Sequence, residues 1–395
     1  MSYRAALTNP PFARMLGAHG LGTLAQLQLT MAVSVYALER TGSGVWVAVA
    51  LSLSFAPYVL FSTTAGLLAD RYARSAVLRW SLLLRLATAT LVTAGLWWQW
   101  APVVVVVFAA MTAVIATPSY PALAAATPQL VPQAQLPAAN GLATGIENAA
   151  WVAGPGLLGL VLLAGAPVAG GGLAAVLCFV VAVVCLGGTA TPVPVRGADG
   201  QADGFFAGLA EVRAHPRMRA VLLLAILDNA LYGYMVVAIV LAGDLRNGPK
   251  GVGWLNSAFA VGAFLSLALA ANLPTDHGVR RILAFLVGFG ISAVGLAFAA
   301  LLPVAIVAVL LAGMFTVIAE IAAVTELQRL ASDAAAARIF GLYDTLAVGV
   351  IAVMTAMAGW LSDVVGVSAG LALVATVIAT LSALVARGQR GQPRL

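Results

Sequence analysis

The sequence predicts an all-α integral membrane protein with twelve transmembrane helices in two pseudo-symmetric six-helix bundles. Three observations carry that prediction. Of 395 residues, 62% are hydrophobic and only 9% are charged, against roughly 25% charged in an ordinary soluble domain. That is too little charge to clothe a soluble core of this size. Long stretches carry no formal charge at all: Leu86 to Ile146, Asn148 to Val195 and Ile282 to Ala319. As one helix even the last of these would reach ~57 Å at ~1.5 Å per residue, nearly twice a ~30 Å hydrocarbon core. It must fold back, and Pro303 is the place. Finally, the longest polar segment, 191–215, leaves six apolar spans on either side.

Apolar runs of about 20 residues, punctuated by Pro, Gly or charge, set the spans. They are expected at 14–38, 45–68, 76–98, 102–125, 138–163, 168–190, 218–242, 252–272, 281–302, 304–327, 338–361 and 367–386. The boundaries least marked by charge fall at Ala166-Pro167 and around Pro303. The resulting organisation is an N-terminal bundle (1–190), a linker (191–215) and a C-terminal bundle with a short tail (216–395). The first apolar segment, 12–39, exceeds a signal-peptide core and is read as an uncleaved span.

Basic residues orient the chain. With the N-terminus inside, sixteen of the twenty Lys and Arg fall in inner segments, three (Arg40, Arg246 and Lys250) fall outside, and Arg85 lies within a span. By the positive-inside rule, both termini are cytoplasmic. Trp46, Trp97, Trp98, Trp100, Trp254 and Trp360 fall at the outer interface, as an aromatic belt would, and only Trp151 falls mid-span. The net charge of +6 is dispersed as short flanking clusters, without the basic stripe a nucleic-acid partner needs. Cys178 and Cys185 sit two helical turns apart in one span, too far for a disulfide within one helix, and read as structural thiols.

A weak internal repeat accompanies the six-plus-six division. Asp70-Arg71-Tyr72-Ala73-Arg74 follows the second span, and Asp276-His277-Gly278-Val279-Arg280 follows the eighth. Arg14-Met15 opens the first span and Arg217-Met218 the seventh. A duplicated six-helix unit would produce such offsets.

The loop between spans two and three carries more than topology. Gly66 permits close helix approach, and Asp70, Arg71 and Arg74 can form a compact charge cluster. Running from Gly66 through Leu78, it resembles the signature Gly-x-x-x-Asp-Arg-x-Gly-Arg-Arg of the major facilitator superfamily. It matches at Gly66, Asp70, Arg71 and Arg74 and departs at Ala73 and Ser75. Within that superfamily the chain is most similar to the macrolide-efflux and enterobactin-exporter branch. Pro128 to Pro132 with Leu136 to Asn140 resembles that branch's loop between spans four and five. Leu327-Gln328, Arg338 and Phe340 to Leu342 resemble its loop between spans ten and eleven. The resemblance implies the major facilitator fold and a cytoplasmic gate in which Gly66, Asp70, Arg71 and Arg74 meet the start of span eleven. Alternatively, Arg71 and Arg74 only enforce orientation.

Gly154-Pro155-Gly156-Leu157-Leu158-Gly159 resembles the antiporter motif Gly-Pro-x-x-Gly-Gly, with Leu158 in place of one glycine. Gly154 and Gly159 remove bulk while Pro155 frees a carbonyl, which suits close packing of spans five and eight. A generic kinked helix would look the same. The arginine of span four found in many proton-coupled drug exporters is absent.

Charge inside a bilayer costs at least ~2.5 kcal/mol, so each such residue marks a candidate. Asp228 and Glu147 lie near mid-span; Glu320 and Asp344 lie nearer the inner face; Arg85 is at a depth where it could pair with Glu147. A carboxyl group withdrawn from water can titrate near neutrality, which proton coupling requires. Asp228, then Glu147, are the leading coupling candidates, with Glu320 and Asp344 behind them. The alternative for each is a hydrogen-bonded or paired structural acid. Helical spacing adds His19 and Gln26 on span one, Trp151 on span five, and Asn229, Tyr232 and Met235 on span seven as cavity candidates. The resemblance places spans one, four, seven and ten around a central cavity.

No Gly-x-x-x-x-Gly-Lys-Ser/Thr loop, His-Glu-x-x-His or Cys-x-x-Cys is present, so no ATP motor, cofactor or metal is expected. Gly20-x-Gly22 and Gly288-x-Gly290 mimic a dinucleotide fingerprint but lie inside predicted spans. The expectation is a monomeric secondary active transporter of a bacterial inner membrane, not an enzyme. It would export a small amphipathic drug, siderophore or metabolite against protons by alternating access. Import, uniport or lysolipid flipping is the nearer alternative. A membrane receptor or scaffold, or an embedded transferase, is more distant.

Overall fold

The structure is a computed structural model describing residues 6–191, 204–270, 278–330 and 333–388, and among these there are helices and turns but no strands. The first bundle comprises α1 (Pro10–Thr41), α2 (Gly44–Arg71), α3 (Arg74–Trp97), α4 (Pro102–Ala116), α5 (Ser119–Leu130), α6 (Leu136–Leu163) and α7 (Val168–Leu186). There follow α8 (Gly204–Ala214), α9 (Pro216–Ala270), α10 (Gly278–Phe298), α11 (Leu302–Leu330), α12 (Asp333–Val365) and α13 (Val367–Gly388). Ten stretches are long and apolar enough to cross a membrane among the described residues, and Gly44–Tyr58 is a shorter apolar helix.

With the short α8 set aside, the helices correspond to the twelve predicted spans once two irregularities are understood. Spans seven and eight form one element, α9, interrupted where Asn247 and Gly248 leave helical geometry. Gly248 has φ +54, a left-handed conformation that glycine adopts without cost. Span four is two pieces, α4 and α5, broken before Pro118. Proline donates no amide hydrogen, so the carbonyl of Val114 accepts instead from the Thr117 hydroxyl at 2.7 Å. Ser81 Oγ donates to the Ile115 carbonyl at 2.7 Å. The prolines foreseen as boundaries do mark them, since Pro167 precedes α7 and Pro303 is in the first turn of α11.

Capping follows sequence chemistry. Asn9 accepts from the Phe12 amide at 3.1 Å ahead of Pro10, and Gly42 ends α1 in the left-handed conformation. Arg246 donates to the carbonyls of Leu296 and Ala299 at 3.1 and 2.6 Å. It neutralises the negative end of α10.

The chain divides into two compact units: Met1–Gly42 with Leu53–Ala198, and Ser43–Ser52 with Asp199–Leu395. In the first, α1 packs on α6 and α7, and α3 on α4 and α7. In the second, α9 packs on α11 and α12, α10 on α11 and α13, and α8 on α12. Gly262 and Gly313 allow α9 and α11 to touch backbone to backbone. A Cβ on Gly262 would lie 1.9 Å from the Leu310 carbonyl oxygen, and one on Gly313 would lie 2.3 Å from that of Phe259.

The opening turns of α2 belong to the second unit, where a carboxylate from α12 caps them. Asp363 accepts from Ser43 Oγ at 2.7 Å and from the amides of Gly44 and Val45 at 2.9 and 3.4 Å. Gly359, one turn earlier, lets the backbones approach; a Cβ there would lie 2.4 Å from the Gly44 carbonyl oxygen. Farther along, α2 contains Pro57 within its helical run.

Candidate functional site

Each unit holds its own buried polar cluster. In the second, Asp228 on α9 is 3% exposed. Its Oδ2 accepts from Thr316 Oγ1 on α11 at 2.9 Å, while Oδ1 has no partner among the described residues. One turn along α11, the half-buried Glu320 accepts from the Tyr343 hydroxyl on α12 and from Asn229 Nδ2 on α9, the latter at 3.2 Å. The Asn229 amide also donates to the Ala225 carbonyl at 2.9 Å. Asp228 and Glu320 lie within electrostatic reach of each other, and Asp344 acts on Glu320 in turn. Among the described residues neither Asp228 nor Glu320 forms an ion pair. Two carboxyl groups so placed, in an apolar bundle and without a cation, cannot both be ionised cheaply.

Local sequence explains the convergence. Thr316 and Glu320 are four residues apart, one above the other on α11. Asp228 and Asn229 are adjacent on α9 and so diverge, one to each. Tyr232 packs against Phe259, ring centroids 6.0 Å apart, and Met235 is fully buried. Asp344 is exposed on the protein surface next to the buried Tyr343.

In the first unit the buried charge is positive. Arg85 on α3 is 1% exposed; it donates through Nη2 to the Gly22 carbonyl of α1 and stands 4.8 Å from the Phe179 ring centroid on α7. Its Nε has no partner among the described residues. His19, three residues before Gly22, is 3% exposed, lies 5.9 Å from the Tyr120 ring and is within electrostatic reach of Arg85. Gln26, four residues after Gly22, is 4% exposed, and neither its amide atoms nor the ring nitrogens of His19 have a partner among the described residues. Glu147 is half-buried on α6. Tyr58, on α2, lies within electrostatic reach of both Arg85 and Glu147. Trp151 stacks on Phe55 at 5.6 Å with rings 9° from parallel.

Of the coupling candidates, then, Asp228, Glu320 and Asp344 share one cluster, while Glu147 belongs to the other unit. Thr316, Tyr343 and Tyr58 were not anticipated. Their signal was present in the four-residue spacing of Thr316 and Glu320 and in the adjacency of Tyr343 to an acid.

At the proposed gate, the side chains of Gly66, Asp70 and Arg338 lie outside the described residues. Arg71 is exposed and Arg74 half-buried. The residues just beyond are anchored within the first unit. The Ser75 amide donates to Thr191 Oγ1 at 3.0 Å, and Arg79 Nη2 to the Thr189 carbonyl at 2.8 Å. In the antiporter-like segment, Pro155 lies inside a continuous α6 and Gly159 is buried. Gly154 meets α1: a Cβ there would lie 2.7 Å from Leu27 Cβ and 3.2 Å from the Gln28 amide nitrogen.

Comparison with known proteins completes the description. The family model described as Major Facilitator Superfamily matches residues 16–346. Macrolide efflux protein A of Streptococcus pyogenes is 31% identical over 133 residues, covering 33% of this chain and 33% of that protein. The match thus spans about a third of that relative's length. Among solved structures, nucleoside transporter NupG aligns with a TM-score of 0.71 at 10% identity, covering 97% of this chain and 100% of its own. A bacterial homolog of the human lysosomal transporter Spinster gives 0.66 at 13% identity, over 98% and 99%. A POT family transporter in complex with 5-aminolevulinic acid gives 0.71 at 11%, over 95% of each chain. At such identities these likenesses concern the fold alone.

Proposed function

This chain belongs to the Major Facilitator Superfamily, and from that premise we propose that it exports a small amphipathic molecule in exchange for protons. That the protein is a membrane transporter and not an enzyme follows from the family. Export, coupling and substrate are our reading. The observation that carries it is the acid pair of the second unit. Asp228 keeps one oxygen without a partner, and Glu320 beside it is held by Tyr343 and Asn229. A proton taken by Asp228 removes a charge that the apolar surroundings penalise, at a group that keeps its Thr316 contact in either state. Proton binding therefore biases which arrangement of the helices is stable, as alternating access requires.

Glu147, with Tyr58 near, is the second coupling candidate. The likeness to a macrolide efflux protein supports outward transport and an antibiotic-like cargo. The charge distribution supports a bacterial cytoplasmic membrane with both termini inside, the protein acting as a monomer. Gly66, Asp70, Arg71 and Arg74 serve in this reading as the cytoplasmic gate.

The test is transport of a radiolabelled macrolide in proteoliposomes under an imposed pH gradient. Wild-type protein should move it only while the gradient lasts, and Asp228→Asn should uncouple movement from the gradient. Flux indifferent to the gradient, and unchanged in both Asp228→Asn and Glu147→Gln, would sink the antiport reading.

A further inference from the structure

Between α10 and α13, on the outer surface of the second unit, runs an open groove of about 550 Å³. Its floor is made of small residues, Gly290 on α10 and Ala375, Ala379 and Ala383 on α13. Ile291 forms part of one wall, 68% exposed. The groove presents no hydrogen-bonding demand along its length. The hydroxyls of Thr376 and Thr380, which also line it, already donate to the carbonyls of Ala372 and Thr376 on their own helix at 2.7 and 2.8 Å. Only one end is different. There Arg387 closes the groove, and it forms no ion pair among the described residues.

The dimensions match one half of a bilayer. From Ala375 to Arg387 is twelve residues of helix, ~18 Å at ~1.5 Å per residue, against ~15 Å for one leaflet of a ~30 Å hydrocarbon core. A ligand that fits must therefore be apolar over a leaflet's depth and negatively charged at its head. Basic pockets between membrane helices, at the level of the headgroups, select anionic lipids for this reason.

We propose that this groove is a binding site for an anionic glycerophospholipid, one acyl chain lying over Gly290 and the alanine floor and the phosphate meeting Arg387. The site is separate from both polar clusters and does not depend on the transport reading.

The glycine supplies a clean test, because a Cβ built on Gly290 meets nothing within 4 Å. Gly290→Leu therefore adds bulk to the groove from a position where its Cβ is free of contacts, and adds a better helix former. The purified full-length chain, in neutral detergent, would be examined by native mass spectrometry and thermal unfolding. Phosphatidylglycerol, phosphatidylcholine and glycerol 1-phosphate are the added probes. Wild-type protein should retain phosphatidylglycerol over phosphatidylcholine by about fivefold, the scale of one arginine at a charged membrane surface, and unfold at a higher temperature with it. Gly290→Leu should lose retention of both lipids at this site while unfolding normally without lipid. Arg387→Gln should lose the preference but keep the chain, and Arg387→Lys should restore the preference. Equal retention of the two lipids by wild-type protein would overturn the proposal. So would a wild-type response in Gly290→Leu, or stabilisation by glycerol 1-phosphate equal to that by the lipid.

Discussion

The two units bury charge of opposite sign, and the difference is chemical as well as electrostatic. The first encloses Arg85, whose guanidinium stays protonated at any pH a cell meets. It is held by a backbone carbonyl and an aromatic face, neither of which changes state. The second encloses Asp228 and Glu320, groups that can gain or lose a proton, held by hydroxyl and amide donors. A fixed charge can orient and stiffen; a carboxyl group with an unpartnered oxygen can switch. Similar helical scaffolds have thus been given different duties. The first unit has two exceptions, the half-buried Glu147 and His19, a titratable ring buried beside a permanent cation.

Substitutions can break this contrast or sharpen it. The largest effect is expected from Asp228→Asn, which should cut gradient-driven flux by more than about tenfold, or ~1.4 kcal/mol of coupling, without lowering thermal stability. Flux assays paired with unfolding scans decide it, and a variant that unfolds early would mean Asp228 is structural after all. Arg85→Ala should do the reverse. It removes the stack on Phe179 and leaves a cavity among α1, α3 and α7, for a loss of ~2–4 kcal/mol in reversible denaturation. A stable Arg85→Ala with lost coupling would erase the distinction between the units. Tyr343→Phe deletes the hydroxyl that holds Glu320 and should cost ~1–3 kcal/mol, the scale of a hydrogen bond to a charged group. The smallest effect belongs to Asp363→Ala. It uncaps the first turn of α2 and should cost ~0.5–2 kcal/mol in the same denaturation assay.

How far the sequence could be read follows from which property each feature depends on. Span number and approximate limits depend on composition alone, and a chain with so little charge displays them openly. The breaks at Pro167 and Pro303 depend on one missing amide hydrogen each and are equally visible, whereas the break before Pro118 falls inside a span expected to be continuous at 102–125. Facing is another matter. Helical period places Gly154 on a face but does not say that α1 will occupy it. In the same way, period made Asn229 a cavity candidate but does not say that Glu320 of α11 will meet it. Tyr58 and Tyr343 escaped notice because an aromatic in an apolar span is unremarkable until an acid from a distant helix arrives beside it. Gly248-Pro249 reads as a loop, and the chain does leave helical geometry at Asn247 and Gly248, so spans seven and eight are two helices meeting there.

One helix is divided between the two units. α2 belongs to the second unit as far as Ser52 and to the first from Leu53 onward. Pro57, four residues past that seam, has no amide hydrogen to offer the Leu53 carbonyl. The rung missing from the ladder is therefore the first one that begins on the far side of the boundary. A helix bends most readily where a rung is absent. In mechanical terms α2 is stiff where Asp363 caps its tip and compliant around Pro57.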